Sequence, residues 1–303
     1  MMKSNNIDFI GDIHGYADKL KTLLYKLGYS NSNGYFQHPS RQVIFVGDYI
    51  DRGPDNPGVV DIVRKMVQHK TAKAIMGNHE YNAILFNTLG KKGYVRPHSI
   101  KNFKQHAATL LQYQGKEKEY HDTIKWFKSL PLYIETDDYR ACHASWDTAS
   151  ITHLQKVTKN GVLSKEQYIQ SANKSSKLYH AVEITCKGLE LPLPKGVSFH
   201  DKDGTERHDI RIKWWENPKG KTYKEMSVIK SIKMKKTMFR ERFSYYKSNE
   251  KPVFFGHYWL TGTPSLQTSN ACCLDFSVAK GGNLVAYRFD GERGLDEGKV
   301  VYI

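Results

Sequence analysis

The segment IDFIGDIHG, residues 7–15, places Ile and Phe directly before Asp12 and His14. Four other segments repeat this arrangement, in which an apolar run ends and Asp, Asn or His follows. They are QVIFVGDYIDRG (42–53), AKAIMGNHE (72–80), LYIETDDYRACHASW (132–146) and PVFFGHYW (252–259). A short apolar run bounded by a turn signal is typical of a buried strand, and ligands bind beyond the ends of such strands. The sequence therefore predicts five strands that carry polar side chains to a shared site.

The residue types at these strand ends predict a centre for two metal ions. Asp48 has two carboxylate oxygens and can bridge two cations, while Asn78 offers an amide oxygen. Mixed carboxylate, imidazole and amide ligands suit Mn, Fe or Zn better than Ca or Mg. Two such ions roughly 3.5 to 4 Å apart are the usual machinery for displacement at phosphorus. The expected ligands are Asp12, His14, Asp48, Asn78, His143 and His257.

Taken in order from Gly11 to Trp259, the segments resemble the calcineurin-like metallophosphoesterase superfamily. Within it they are similar to the phosphoprotein phosphatase branch, which includes serine/threonine protein phosphatases and symmetrical diadenosine tetraphosphate hydrolases. The resemblance implies an α/β fold, a four-layer α-β-β-α sandwich of two mixed sheets. It also implies two divalent metal ions, with Mn preferred and Fe, Zn, Ni or Co as alternatives.

The resemblance implies a role for each matching residue. Asp12, His14 and Asp48 look like the ligands of the first metal. Asp48, Asn78, His143 and His257 look like those of the second.

The same resemblance implies three catalytic residues, His79, Asp51 and Arg52. Arg52 resembles the residue that binds the phosphate oxygens, since a guanidinium can do so bidentately. His79 is similar to the general acid of the family, and Asp51 to the carboxylate that orients it. A water shared by the two ions would attack phosphorus as hydroxide.

The chain departs from the family pattern around the substrate. Met76 stands where protein phosphatases usually have Arg, and His143 is not followed by Gly-Gly. Tyr258 and Trp259 replace the small residues that commonly follow the last His. We expect substrate contacts from Arg52 and Asn78, and we expect Arg96 and His98 to replace the missing cations.

The remaining sequence predicts helices between the strands. Leu20, Leu23, Leu24 and Leu27 repeat at helical spacing, and further helices are expected at about 57–68, from about residue 80, and within 98–130. The segments ACCLDFSVA, NLVAYRFDG and KVVYI predict strands that complete the second sheet, and Asp203-Gly204 predicts a hairpin. The other histidines, among them His106, are expected to be structural or on the surface.

Length and composition indicate one domain spanning residues 1–303, because the motifs leave no obvious linker. No run of 18 apolar residues and no secretory signal is evident, so a cytoplasmic protein without membrane contact is expected. Four cysteines without paired spacing are expected to be buried and reduced. The sequence gives no indication of an oligomeric state.

The net charge of +15 is concentrated between the fourth and fifth motifs. Residues 151–251, here called the insertion, contain 22 Lys and Arg against 11 Asp and Glu, and are expected to form a basic cap that attracts anionic phosphoesters. Its stretch from Val228 to Lys247 interleaves basic and aromatic residues. Two interpretations remain: a solvated helix with an apolar stripe, or a nucleic-acid surface.

Three functions follow from these residues. The leading hypothesis is hydrolysis of phosphomonoesters, with phosphoproteins as one substrate class. The alternative is cleavage of a phosphoanhydride or phosphodiester in dinucleoside polyphosphates, nucleotides or nucleic-acid ends. The third is a phosphate-binding module without turnover, against which His79, Asp51 and the six ligand positions argue.

Overall fold

The structure is a computed structural model that describes residues 6–200, 206–229 and 236–303. Within these ranges the helices are α1 (Ala17–Lys26), α2 (Asn56–Gln68), α3 (Asn78–Phe86), α4 (Ile100–Gln112), α5 (Glu117–Phe127), α6 (Thr148–Val157), α7 (Lys165–Gln170), α8 (Lys177–Lys187) and α9 (Tyr223–Met226). Two 3₁₀ turns lie at Val278–Lys280 and Glu297–Lys299.

The strands in the same ranges are mostly short. They are β1 (Ile7–Ile10), β2 (Gln42–Phe45), β3 (Ala72–Ala74), β4 (Leu89–Gly90), β5 (Gly93–Tyr94), β6 (Tyr133–Glu135), β7 (Arg140–Cys142), β8 (Glu190–Pro192), β9 (Phe199–His200), β10 (Glu206–Arg207), β11 (Asp209–Arg211), β12 (Val253–Phe255), β13 (Ala271–Cys273), β14 (Asp275–Phe276), β15 (Asn283–Phe289) and β16 (Val300–Tyr302).

The predicted helices of the first half of the chain are confirmed. In α1 the apolar side is buried through Leu20, Leu23 and Leu24. Helix α2 begins after Asp55, whose side chain accepts a hydrogen bond from the Gly58 N–H at 2.8 Å. The helical region within 98–130 is divided between α4 and α5.

Two sheets contain the five motif strands. The first has the order β14-β15-β1-β2-β3, with β16 paired to β15. The second has the order β13-β12-β7-β6. Strands β1, β2 and β3 are parallel, as are β7, β12 and β13. The mixed α/β class is therefore confirmed.

The two sheets pack on each other through an apolar layer. The ring of Phe9 in β1 stacks on that of Phe254 in β12, with centroids 3.7 Å apart. Side chains alternate between the faces of a strand, so Ile10 and Phe45 point away from this layer, into the cluster that contains the apolar residues of α1 and α2. Both faces of the first sheet are thus buried.

One expectation about the C-terminal strands is wrong. Only β13 joins the second sheet, whereas β14, β15 and β16 belong to the first. The chain changes sheets at Leu274, whose N–H still donates to the Phe255 carbonyl at 2.7 Å. Strand β15 then pairs antiparallel with β1, because this position buries Val285, Tyr287 and Phe289 between the sheets.

The insertion contains the end of α6, helices α7 to α9 and strands β8 to β11. The hairpin prediction is supported by the antiparallel pairing of β9 with β10, while its Asp203-Gly204 turn lies outside the described residues. Trp214 and Trp215 are buried and pack against Phe255. None of the described helices has the length and apolar content needed to cross a bilayer.

The Val228–Lys247 stretch is only partly described. Lys230, Lys233 and Lys235 lie outside the described residues, as does Ile232. The described parts, 228–229 and 236–247, contain no helix, so the helical interpretation is wrong there. Ile229, Phe239 and Phe243 nevertheless pack against a buried cluster that includes Ile210 and Ile212.

Candidate metal centre and substrate cavity

The five motif strands deliver their polar side chains to one edge of the two sheets. Asp12 follows β1, Asp48 follows β2, Asn78 follows β3, His143 follows β7 and His257 follows β12. The carboxyl ends of parallel strands lie at the same edge, which brings residues far apart in sequence together.

The backbone at these strand ends turns sharply. His14, Asp48 and His257 have φ angles of 49°, 54° and 74°, in the left-handed region that side-chain-bearing residues rarely adopt. Such conformations cost free energy and concentrate at functional sites.

Asp48 lies at the centre of two groups of possible ligand atoms. Its Oδ2 is 3.6 Å from His14 Nε2 and 4.0 Å from His79 Nε2. Its Oδ1 is 3.4 Å from His143 Nε2, and His257 completes this second group. Within each group the ligand atoms lie within 4.8 Å of one another. A carboxylate shared in this way could bridge two cations.

Asn78 joins the second group through its amide oxygen. Asn78 Oδ1 is 3.0 Å from His143 Nε2 and 2.6 Å from His257 Nδ1. The three side chains therefore converge on one point, which a single cation could occupy.

The histidines are arranged as ligands would be. His14 Nδ1 lies 3.1 Å from the Ile50 carbonyl, and His143 Nδ1 lies 2.8 Å from the Val46 carbonyl. A proton on each Nδ1 satisfies these carbonyls and leaves the Nε2 atoms with free lone pairs. The Nε2 atom of His14 is buried without a hydrogen-bond partner, 3.6 Å from Asp48 Oδ2. An unpaired buried imidazole nitrogen beside a carboxylate fits a divalent metal ion.

Asp12 is held beside the second group and is not part of either. Its carboxylate accepts hydrogen bonds from the His257 N–H at 3.1 and 3.3 Å. Burial, and then the charges of Asp275 and Asp48, raise the pKa of Asp12 well above its ordinary value. A divalent cation would offset this repulsion.

Asp275 is a site residue that sequence reasoning missed. Its carboxylate accepts hydrogen bonds from the N–H groups of Trp259 at 2.7 Å and Ser277 at 3.0 Å, and it lies against Asp12. The available signal was an acidic residue inside the apolar run ACCLDFSVA, because a buried carboxylate needs partners.

Glu80 fixes the two loops that present Asp48 and Asn78. It is fully buried, and its two oxygens accept hydrogen bonds from the N–H groups of Asp48, Tyr49, Ile50 and Gly77 at 2.8–3.4 Å. Burial and the charge of Asp48 raise the pKa of Glu80 to about 7. A Cβ at Gly77 would overlap Asp48, which explains the glycine of this motif.

His79 and Asp51 form a close pair next to this centre. His79 Nδ1 lies 2.6 Å from Asp51 Oδ2, and both side chains are buried. His106 Nδ1 contacts the other oxygen, Asp51 Oδ1, at 2.8 Å. His106 was expected to be structural or on the surface, and its helical spacing in α4 gave no sign of this contact.

A cavity of about 1210 Å³ opens over His79 and His257. Its basic lining comes from three parts of the chain: the turn at residues 51–53, residues 96–104 at and before the start of α4, and the insertion. The cations are Arg52, Arg96, Lys101, Lys104, Lys187, Arg207 and Arg211.

Three of the four residues expected to contact substrate line this cavity, and the fourth does not. Arg52, Asn78 and Arg96 line the cavity. The guanidinium of Arg52 lies 4.2 Å from the ring centroid of Trp259. His98 does not line it: its ring stacks between Phe86 and Tyr94, each 3.9 Å away. The expectation of a substrate contact at His98 is not supported, because stacking already occupies both faces of the ring.

The chain belongs to the calcineurin-like phosphoesterase family, whose model matches residues 6–257. Members of this family use a dinuclear centre of divalent metal ions.

Among curated proteins, the chain is similar to two bis(5'-nucleosyl)-tetraphosphatases named PrpE [asymmetrical]. The protein from Oceanobacillus iheyensis is 36% identical over 165 residues, covering 52% of this chain and 63% of the relative. The protein from Halalkalibacterium halodurans is 38% identical over 131 residues, covering 42% and 50%. The chain thus matches less than two thirds of the length of these relatives.

Among solved structures, a protein serine/threonine phosphatase from Saccharomyces cerevisiae is 13% identical, with a TM-score of 0.48 over 98% of this chain and 78% of the other.

The curated relatives are named for cleavage of dinucleoside tetraphosphates, which is the substrate class of the alternative hypothesis. Their names specify asymmetrical cleavage, whereas the sequence resemblance was to symmetrical hydrolases.

Proposed function

We propose that this protein hydrolyses phosphoanhydride bonds of dinucleoside polyphosphates, using two divalent metal ions with Mn preferred. The observation that carries the proposal is the basic cavity over the candidate metal centre. Cations from three parts of the chain line it, and among the described residues Asp51 is the single acidic side chain in this lining. A substrate with several phosphates matches this lining better than a single phosphoryl group on a protein side chain.

The insertion supports this substrate class directly. Three residues of the insertion line the cavity: Lys187, Arg207 and Arg211. They face it together with Arg52 and Arg96, which precede the insertion in the chain. Arg211 is close enough to His257 that its charge helps to lower the pKa of that imidazole, after burial. We therefore assign residues 151–251 the role of a basic cap on a single domain, over a four-layer α-β-β-α sandwich.

The proposed ligands are Asp12, His14 and Asp48 for one ion, and Asp48, Asn78, His143 and His257 for the other. When bound, the two ions supply Lewis-acid activation of water and of a phosphate oxygen. A site with carboxylate and amide oxygens and imidazole nitrogens is compatible with Mn, Fe, Zn, Ni or Co.

The protein's own groups supply the remaining chemistry. Arg52 binds oxygens of the phosphate under attack, and stacking on Trp259 limits the directions that its guanidinium can take. Asp51 accepts the Nδ1 proton of His79, so that His79 Nε2 can hold the proton for the leaving phosphate oxygen. The cations of the cap bind the phosphates that remain on the leaving group.

Product analysis tests the proposal. The protein is incubated with diadenosine tetraphosphate and Mn²⁺, and nucleotides are separated by ion-exchange chromatography. We expect AMP and ATP in equal amounts, and no turnover by Asp48→Asn. ADP as the sole product would support the substrate class with cleavage at the central bond. A higher kcat/KM for phosphoserine, phosphothreonine or phosphotyrosine peptides would overturn the proposal.

A further inference from the structure

We propose that His106 and Tyr120 are positioning residues for the reaction. They fix the Asp51 carboxylate, and through it the ring of His79, so that His79 presents Nε2 to the leaving oxygen. The inference rests on the proposed function in one respect, that His79 is the general acid.

Asp51 is held at both oxygens. Oδ2 lies 2.6 Å from His79 Nδ1, while Oδ1 lies 2.8 Å from His106 Nδ1 and accepts a hydrogen bond from the Thr109 hydroxyl at 2.6 Å. The Asp51 N–H donates to the same hydroxyl at 3.1 Å. With both oxygens and the backbone engaged, the carboxylate cannot rotate without breaking a buried hydrogen bond.

The direction of each hydrogen bond follows from the available protons. The Asn87 amide donates to the Tyr120 hydroxyl at 2.7 Å, so the single hydroxyl proton is directed to His106 Nε2 at 2.8 Å. His106 Nε2 is then an acceptor, and a neutral His106 carries its proton on Nδ1. That proton is donated to Asp51, which leaves the other Asp51 oxygen to accept from His79 Nδ1.

Electrostatics agree with an ionised Asp51 at the centre of this chain. Burial alone would raise the pKa of Asp51, but the hydrogen bonds from His106 and His79 hold it below its ordinary value. Burial also raises the pKa of Tyr120, so its hydroxyl keeps the proton that His106 requires.

The network connects three helices to the reaction. Asn87 ends α3, His106 lies in α4 and Tyr120 lies in α5, and all of these side chains are at least partly buried. A purely structural role would be to hold these helices together. The two roles differ in their consequence for catalysis, because a misplaced general acid slows only reactions whose leaving group needs a proton.

The test compares two aryl phosphates. p-Nitrophenolate leaves readily without protonation, whereas phenolate is a poor leaving group and depends on the acid. His106→Leu removes the Nδ1 donor, and His106→Asn retains an amide donor at nearly the same position. We expect His106→Leu to lower kcat for phenyl phosphate by about 10-fold or more, with less than about 3-fold for p-nitrophenyl phosphate. His106→Asn is expected to recover most of this loss.

Tyr120→Phe tests the outer part of the chain, with Tyr113→Phe as its matched control. Tyr113 is equally buried, its ring is 5.5 Å from that of Tyr120, and its hydroxyl pairs with Thr123 at 3.1 Å, away from Asp51. We expect a selective loss on phenyl phosphate for Tyr120→Phe, and equal effects on both substrates for Tyr113→Phe. Mn²⁺ affinity, measured by calorimetry, should be unchanged in all of these variants.

Two results would overturn the inference. One is an equal loss on both substrates by His106→Leu. The other needs no turnover: ¹⁵N NMR spectra in which His79 has the same tautomer in His106→Leu as in the unchanged protein. Without His106, the Asp51 carboxylate should no longer be fixed against His79, so the proton of His79 should no longer be held on Nδ1. His79→Ala separates this from the proposed function. If His79→Ala itself affects both aryl phosphates equally, the general-acid role fails, while cleavage of diadenosine tetraphosphate is assessed independently.

Discussion

Replacing Glu80 by Gln should destabilise the protein far more than its conservative chemistry suggests. Two N–H groups donate to each carboxylate oxygen, those of Tyr49 and Ile50 to Oε1 and those of Asp48 and Gly77 to Oε2. In glutamine one oxygen becomes an NH₂ group, so two buried N–H groups face a donor instead of an acceptor. Each unsatisfied group costs about 1–3 kcal/mol, which gives roughly 2–6 kcal/mol of unfolding free energy.

Urea unfolding followed by circular dichroism measures this loss, in EDTA so that metal binding does not contribute to stability. Glu225→Gln is the matched control, because Glu225 occupies the same third position of a helix and hydrogen-bonds the N-cap, but is exposed. Glutamine serves that position well, so less than about 0.5 kcal/mol is expected there. A loss at Glu80 no greater than at Glu225 would refute the reasoning.

Three further predictions concern the metal centre and the cap. EDTA should abolish hydrolysis and Mn²⁺ should restore it, and a rate that survives exhaustive chelation would contradict the dinuclear centre. Gly256→Ala should weaken Mn²⁺ binding in calorimetry by roughly 10-fold or more, because its Cβ would overlap Asp12 Oδ1, whereas Gly294→Ala, with open space around its Cβ, should bind normally. Arg211→Gln should lower kcat/KM for diadenosine tetraphosphate roughly 10-fold through a lost charged contact. Lys195 is exposed, and Lys195→Gln should leave this kcat/KM unchanged. Equal effects of these two variants would argue against the cap as a phosphate site.

The strand ends and the first helices could be predicted because their signals are local. An apolar run before Gly-Asp marks a buried strand, and the spacing of Leu20, Leu23 and Leu24 marks one face of α1. The convergence of Asp48 with His143 also followed from sequence, through the resemblance to a known arrangement of motifs.

Other site residues could not be predicted, because their partners are distant in sequence. His106 is 55 positions from Asp51, and nothing in the pattern of α4 distinguishes it from a core histidine. Arg207 and Arg211 occur in a basic region where any of many cations could have faced the cavity. The expected substrate contact at His98 took no account of its stacking partner Tyr94, because Tyr94 lies in the short strand β5, outside the motifs.

The amino-acid sequence by itself determined which residue types end each motif strand and the metal chemistry they permit, since hydrophobic periodicity and ligand preference are properties of short segments. Only the tertiary structure decided that β15 pairs with β1, that Asp275 lies against Asp12, and which cations line the cavity. These outcomes depend on how two sheets bury their apolar faces together, a choice made by packing across the whole chain.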